Sequence, residues 1–220
     1  MDENSLISIN GGETPTLEIL LLMTIIMLLP SIVIMMTSFT RIIIILSFTR
    51  NALGIQQTPP NMVLVGLALF LTLFIMRPVL DEINTNAYQP YLEEKITQEE
   101  ALTQMQEPLK RFMLRQTDVS AVELFTDLSG TEAVEDPMEL PLTVVIPSFM
   151  TSELKRGFMA GFAIYVPFLL IDIIVSSTLM SMGMIMLPPA TIALPFKLLL
   201  FVTVNGWELL FSSIVKGFNF

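Results

Sequence analysis

Five charged side chains stand in or beside long apolar stretches of this chain: Arg41, Arg77, Asp172, Lys197 and Glu208. A charge at membrane depth costs about 2.5 to 3.5 kcal/mol on insertion scales, so each needs a counter-charge or a path to water. Asp172 and Lys197 are opposite in sign and lie on either side of Pro188-Pro189. That placement lets them meet within one chain or between neighbouring copies. The chemistry open to them is a structural ion pair, or a relay in which Asp172 titrates as protons move. Other chemistry is closed. The 220 residues include no Cys and no His, which removes thiolate nucleophiles, imidazole bases, disulfides and the usual zinc ligands together. Ser, Lys and Asp occur without a G-x-S-x-G elbow, a phosphate-binding glycine loop or acids paired for hydrolysis. No catalytic, cofactor-binding or metal-binding constellation is expected, and the chain is expected not to be an enzyme.

A second group of residues has a different use. Met180, Met182, Met184 and Met186 alternate just before Pro188-Pro189. Methionine is unbranched and adaptable, so the run reads either as gap-filling core or as a deformable seal where several such tips converge on an axis.

The elements that must position these groups are apolar helices. Hydrophobic residues make up 53% of the chain and charged ones only 15%, against roughly a quarter charged in a soluble domain, so lipid or partner subunits must cover apolar surface. The net charge of −10 is concentrated: residues 81–145 hold 14 Asp and Glu against 4 Lys and Arg. Such an acidic, solvated segment is unsuited to nucleic acid or an anionic lipid surface. The start, Met1-Asp2-Glu3-Asn4, lacks the basic region of a signal peptide, so the expectation is a chain stripped of its leader or one that starts differently.

The first apolar run, 17–46, contains Pro30. As one helix it would reach about 45 Å, longer than a bilayer core of about 30 Å, so a break or bend at Pro30 is expected. A turn over 50–61 leads to a second run, 61–80. Then Thr97-Gln98-Glu99-Glu100 reads as a capping box, and Leu109, Phe112 and Met113 recur at helical spacing, predicting a small amphipathic insert. The insert reads as a solvated spacer or as a surface that docks on a surrounding ring. An exit linker is expected over 134–147, and runs over 158–187 and 191–215 repeat the hairpin plan, with a kink at Pro167. Gly66, Ala68, Gly157, Ala160, Gly161 and Ala163 permit close helix approach. The expected fold is an all-α integral membrane-type protein. Two long kinked helical hairpins, 17–80 and 147–220, flank the acidic insert at 81–146, after an N-terminal segment at 1–16. A hydropathy count gives four spans. Arg50 in the first turn weakly places both hairpin tips toward the cytoplasm, with the insert and termini outside.

Three motif groups go further. They are Thr37-Ser38-Phe39-Thr40-Arg41 with Arg50-Asn51-Ala52-Leu53-Gly54 and Pro59-Pro60-Asn61-Met62; Pro147-Ser148-Phe149 through Glu153-Leu154 to Gly157-Phe158; and Pro195-Phe196-Lys197 through Asn205-Gly206-Trp207. On these the chain resembles the FliP family of flagellar type III export proteins over nearly its whole length. Injectisome relatives share the plan, but residues 108–117 look flagellar. The resemblance implies a pore-forming subunit that passes unfolded substrates across the bacterial inner membrane within the flagellar basal body. It implies a helical oligomer, usually of five copies, with FliQ and FliR, beside FlhB, FlhA and the basal-body ring, in contact with membrane lipid. Subunits of that assembly are lifted largely out of the bilayer plane, so the four-span picture would not describe the assembled state. It also implies a pore gasket from Met182, Met184, Ile185 and Met186, with Ile185 where relatives often have a third Met, and an intersubunit salt bridge between Asp172 and Lys197. The alternatives are a secondary transporter using Asp172, or a subunit that only scaffolds the gate.

Overall fold

The computed structural model of the chain describes residues 7–9, 12–14, 16–55, 57–130, 134, 136–184 and 186–218. Two three-residue strands, β1 (Ile7–Ile9) and β2 (Gly12–Thr14), pair antiparallel with Ile7 opposite Thr14. Everything else of regular structure among the described residues is helical.

α1 (Thr16–Met35) continues through Pro30 without interruption, and the break in the run comes at residues 36–38. Pro30 removes one donor, which an apolar helix tolerates. At 36–38 the bonding itself changes: the Thr37 amide and hydroxyl both donate to the Ile34 carbonyl, at 3.4 and 3.1 Å, in place of the i−4 bond. The break expected at Pro30 therefore lies a full turn and more beyond it. α2 (Phe39–Ala52) buries Arg41, Ile42, Ile45, Leu46, Thr49 and Ala52, a stripe at the 3.6-residue period.

α3 (Asn61–Ile83) does not stop at residue 80. A π-helical turn (Asn84–Tyr88) carries it into α4 (Gln89–Leu92). α5 (Gln98–Gln116) opens on the expected capping box, with Thr97 Oγ1 accepting from the Glu100 amide at 3.3 Å and Glu100 Oε2 accepting from the Thr97 amide at 2.8 Å. α6 (Val119–Ser129) follows and ends on Gly130 at φ +65.

α7 (Leu142–Ser181) is 40 residues long and passes through Pro147 and Pro167. Residues 142–147, expected as linker, are its first turns. The last apolar run, expected as one helix, is two: α8 (Pro189–Thr203) and α9 (Gly206–Lys216) meet at 63°, with Asn205 between them at φ +50. Among the described residues two stretches, Asn61–Leu92 and Leu142–Ser181, are long and apolar enough to cross a membrane, and α8 with α9 would make a third if the bent pair counts as one. The hydropathy count of four also includes the first run, 17–46, which the structure divides between α1 and α2.

α2 lies along α7 as the central pair, with α3 against α2 and α8 against α7. α5 and α6 pack onto the first half of α7, so the insert is not a free spacer. Its Phe112 and Met113 enter one core with Ile42, Leu46, Val144 and Phe149, and Leu109 packs partly against it. The acids stay outside because only the apolar stripe of α5 faces in.

Closeness of α2 and α7 is set by two glycines. A methyl group at Gly157 would stand 3.2 Å from Ile44 Cγ2, and one at Gly161 would stand 2.5 Å from Phe48 Cγ. Gly161→Ala is expected to destabilise by about 1–3 kcal/mol from overpacking, partly offset by about 1 kcal/mol of better helix propensity. Thermal unfolding in detergent, followed through the single tryptophan, checks this; an unchanged or raised midpoint would show that the helices separate at no cost.

Candidate functional site

The densest polar cluster is centred on Arg41, in the first turn of α2 and only 5% exposed. Its Nε donates to Glu153 Oε2 at 2.9 Å and its Nη2 to Glu153 Oε1. Nη1 donates to the Gly217 carbonyl at 2.9 Å, and Nη2 also reaches Gln116 Oε1 at 3.5 Å. The guanidinium carbon lies 4.0 Å from the centre of the Phe218 ring. The bidentate fork is the strong form of this pairing, and a buried pair is tolerated only when its remaining donors and acceptors are met. Here they are met by four parts of the chain: α2, the end of α5, the middle of the first half of α7, and the residues after α9.

A second polar seam lies one turn away. The Asp118 amide donates to Ser152 Oγ at 3.0 Å, and its carboxylate accepts from Lys155 Nζ at 2.8 Å and Arg156 Nη2 at 3.0 Å. The hydrogen bonds from Lys155 and then Arg156 hold the Asp118 carboxyl below the usual carboxylate range. The pair pins the α5–α6 turn to α7.

Asp172 and Lys197 do meet, and they meet within the single chain. Lys197 Nζ donates to Asp172 Oδ2 at 2.6 Å and to the Ala52 carbonyl at 3.1 Å. One ammonium thus joins α7, α8 and the end of α2, beside Gly54 at φ +76. Asp172 Oδ1 is buried and has no hydrogen-bond partner among the described residues. The other two charges of the apolar runs need no partner in the interior. Arg77 is exposed and 3.7 Å from Asp81, and Glu208 is exposed.

At the far end of α7 the methionines stand in the open. The Gly183 amide donates to the Met180 carbonyl and the Met184 amide to the Leu179 carbonyl, both at 3.0 Å, with Gly183 left-handed at φ +74. This double closure is the Schellman arrangement, which needs glycine at the left-handed position. Pro189 then opens α8, where a missing amide is harmless. The turn leaves Met182 67%, Met184 42% and Met186 98% exposed. Ile185 lies outside the described residues.

The remaining motif residues divide between packing and surface. Phe149 is fully buried, its ring 6.0 Å from that of Phe112. Phe158 is half exposed but sets its edge on Phe48 at 5.6 Å. Arg50 Nη1 donates to Asn61 Oδ1 at 2.5 Å and to the Pro59 carbonyl at 3.3 Å, bracing the first hairpin turn. Gly206 is buried because Phe201 covers it: a Cβ there would be 2.3 Å from that ring. Trp207 rests edge-on against Phe201 at 5.2 Å. Pro195 is exposed, as is Phe196, which lines an apolar cleft of about 440 Å³ between α7 and α8 with Ile171, Ile174 and Ile192. The sequence singled out Arg41 and Glu153 separately and did not pair them. Gln116 stood out only as part of the segment 108–117, and Gly217 and Phe218 went unnoticed.

Comparison with known proteins gives a consistent result. The model of the FliP family matches residues 22–214. A curated relative called flagellar biosynthetic protein FliP, from Pectobacterium carotovorum subsp. carotovorum, is 50% identical over 211 residues, covering 95% of this chain and 82% of its own length. Proteins of the same name from Bacillus subtilis (strain 168) and Aquifex aeolicus (strain VF5) are 48% identical over 220 residues and 47% identical over 211. Those matches cover 98% and 95% of this chain, and 100% and 88% of the relatives.

Proposed function

The chain belongs to the FliP family, and on that premise we propose that it is a non-enzymatic subunit of the flagellar protein export apparatus in the bacterial inner membrane. Several copies, with FliQ and FliR, surround a conduit for unfolded flagellar substrates, and the methionine turn between α7 and α8 closes it. The observation that carries this reading is the turn itself. Three thioether side chains project from the end of a long, rigid helix into open space, held there by a glycine turn and fixed on the other side by Pro188-Pro189. Gap-filling core methionines would be buried; these are not. Copies arranged about an axis can press such side chains together without needing one packing geometry.

The extensive exposed apolar surface supports assembly. Phe70 and Phe74 on α3, Phe162 and Ile174 on α7, and Leu199 and Val202 on α8 are each more than half exposed, far beyond what a monomeric soluble protein leaves open. The secondary-transporter reading loses support because Asp172, its coupling acid, is already engaged by Lys197.

Two measurements test the proposal. The native mass of the detergent-extracted protein, alone and with FliQ and FliR, is expected to be that of a ring that gains the smaller subunits; a monomer or dimer that never enlarges would sink it. In the assembled complex, Met182→Ala with Met184→Ala and Met186→Ala is expected to raise ion conductance severalfold at unchanged native mass. Unchanged conductance would take the seal away from this turn.

A further inference from the structure

We infer that the turn between α7 and α8 is a site of reversible methionine oxidation, at which a peroxide converts a closed seal into a leaking one. The inference rests on the seal reading above. Four thioethers, Met180, Met182, Met184 and Met186, occur within seven residues, and the chain has no cysteine to compete for oxidant. Their exposures are 60%, 67%, 42% and 98%. Core methionines are shut away by contrast, Met76 at 2% and Met113 at 0%. Other exposed methionines lie on outward apolar helix faces, which lipid or neighbouring subunits must cover. Met182, Met184 and Met186 lie between the end of α7 and the start of α8, beside the proposed conduit, which admits water.

The chemistry balances without a cofactor. A sulfur lone pair of Met186 attacks one oxygen of hydrogen peroxide, the O–O bond breaks, and a proton passes to the departing hydroxide to give water. The sulfur has lost two electrons and carries a new S–O bond. The product replaces a flexible apolar side chain with a polar, chiral one. A ring of apolar side chains offers that oxygen no donor, so the oxidised turn is satisfied only by admitting water, which is the open state of a seal. Sulfoxide reductases acting on the two epimers restore the thioether. Gly183 and the prolines take no part, so the backbone of the turn is unchanged and closure returns with the reduced side chain.

The test uses the assembled export complex in planar bilayers. Hydrogen peroxide is expected to add one oxygen atom each to the methionines of this turn before any other in the chain, read by mass spectrometry of its peptides. Conductance should rise severalfold in step, and both changes should reverse with the two sulfoxide reductases. A variant carrying Met180→Leu, Met182→Leu, Met184→Leu and Met186→Leu keeps apolar bulk and cannot be oxidised there; its conductance is expected not to move with peroxide. Oxidation elsewhere first, or an oxidised turn with unchanged conductance, overturns the inference, as does a Leu variant that leaks as much as the parent on peroxide. The Ala variant tested above separates the two readings: if it leaks while the oxidised turn does not, the seal stands and the oxidation switch falls.

Discussion

Removing the Glu153 carboxylate is expected to cost this fold about 3–5 kcal/mol, the range for breaking one side of a buried ion pair. Glu153→Ala would leave Arg41 buried with only the Gly217 carbonyl, Gln116 and the Phe218 ring for company. A domain holds about 5–15 kcal/mol in total, so the variant should accumulate poorly in membranes and unfold well below the parent by Trp207 fluorescence. The loss arises from the orphaned charge more than from the missing attraction. Arg41→Met combined with Glu153→Met is therefore expected to recover most of the stability that Glu153→Ala loses, since replacing both members by apolar groups is often neutral. If the double variant is as unstable as the single one, the pair contributes through geometry that hydrophobic residues cannot replace, and the orphan argument is wrong. The same result would bear on function, because Arg41 ties the insert and the residues after α9 to the central helix pair.

What the sequence made legible follows from how local each signal is. Apolar runs, the capping box at Thr97 and the stripe of α5 depend on neighbours within a turn or two, and the structure has them. Proline misled. Pro30, Pro78, Pro108, Pro147, Pro167 and Pro195 all sit inside helices, while the breaks at 36–38 and 204–205 contain no proline. In apolar helices the loss of one donor is absorbed, so the breaks go instead to places where side chains rebond the backbone or where packing demands a turn. At the second break Thr203 Oγ1 donates to the Leu200 carbonyl at 2.9 Å, and Asn205 takes a left-handed conformation that few residues besides glycine accept. Placing the third run at 158–187 hid Glu153 in a supposed polar lead-in. Once α7 begins at Leu142, Glu153 is an acid in the interior of an apolar helix and demands a cation. Its partner lies 112 positions away, a distance no periodicity reports.

The pair at the other end of the molecule offers a sharper question, because it has two possible partners of identical chemistry. Lys197→Met is expected to cost about 2–3 kcal/mol, less than a fully buried pair because Asp172 keeps 31% of its side chain exposed. Asp172→Asn should cost less, since the amide oxygen can still accept from the ammonium. A double-mutant cycle on these positions measures their coupling, and the state of assembly decides what it means. In dispersed monomers the ammonium touches Asp172 Oδ2 and the Ala52 carbonyl of its own chain, so coupling should already be present there. A bridge made only between subunits would show none until assembly. Between these extremes lies the possibility the structure favours. Asp172 Oδ1 is buried and unused among the described residues, so a donor from an adjacent copy can be added without breaking the internal bond. Coupling of about 1–2 kcal/mol in the monomer, rising on assembly, would mean that one carboxylate serves both contacts. Coupling that stays constant would confine Asp172 and Lys197 to holding α7, α8 and the end of α2 together inside each subunit.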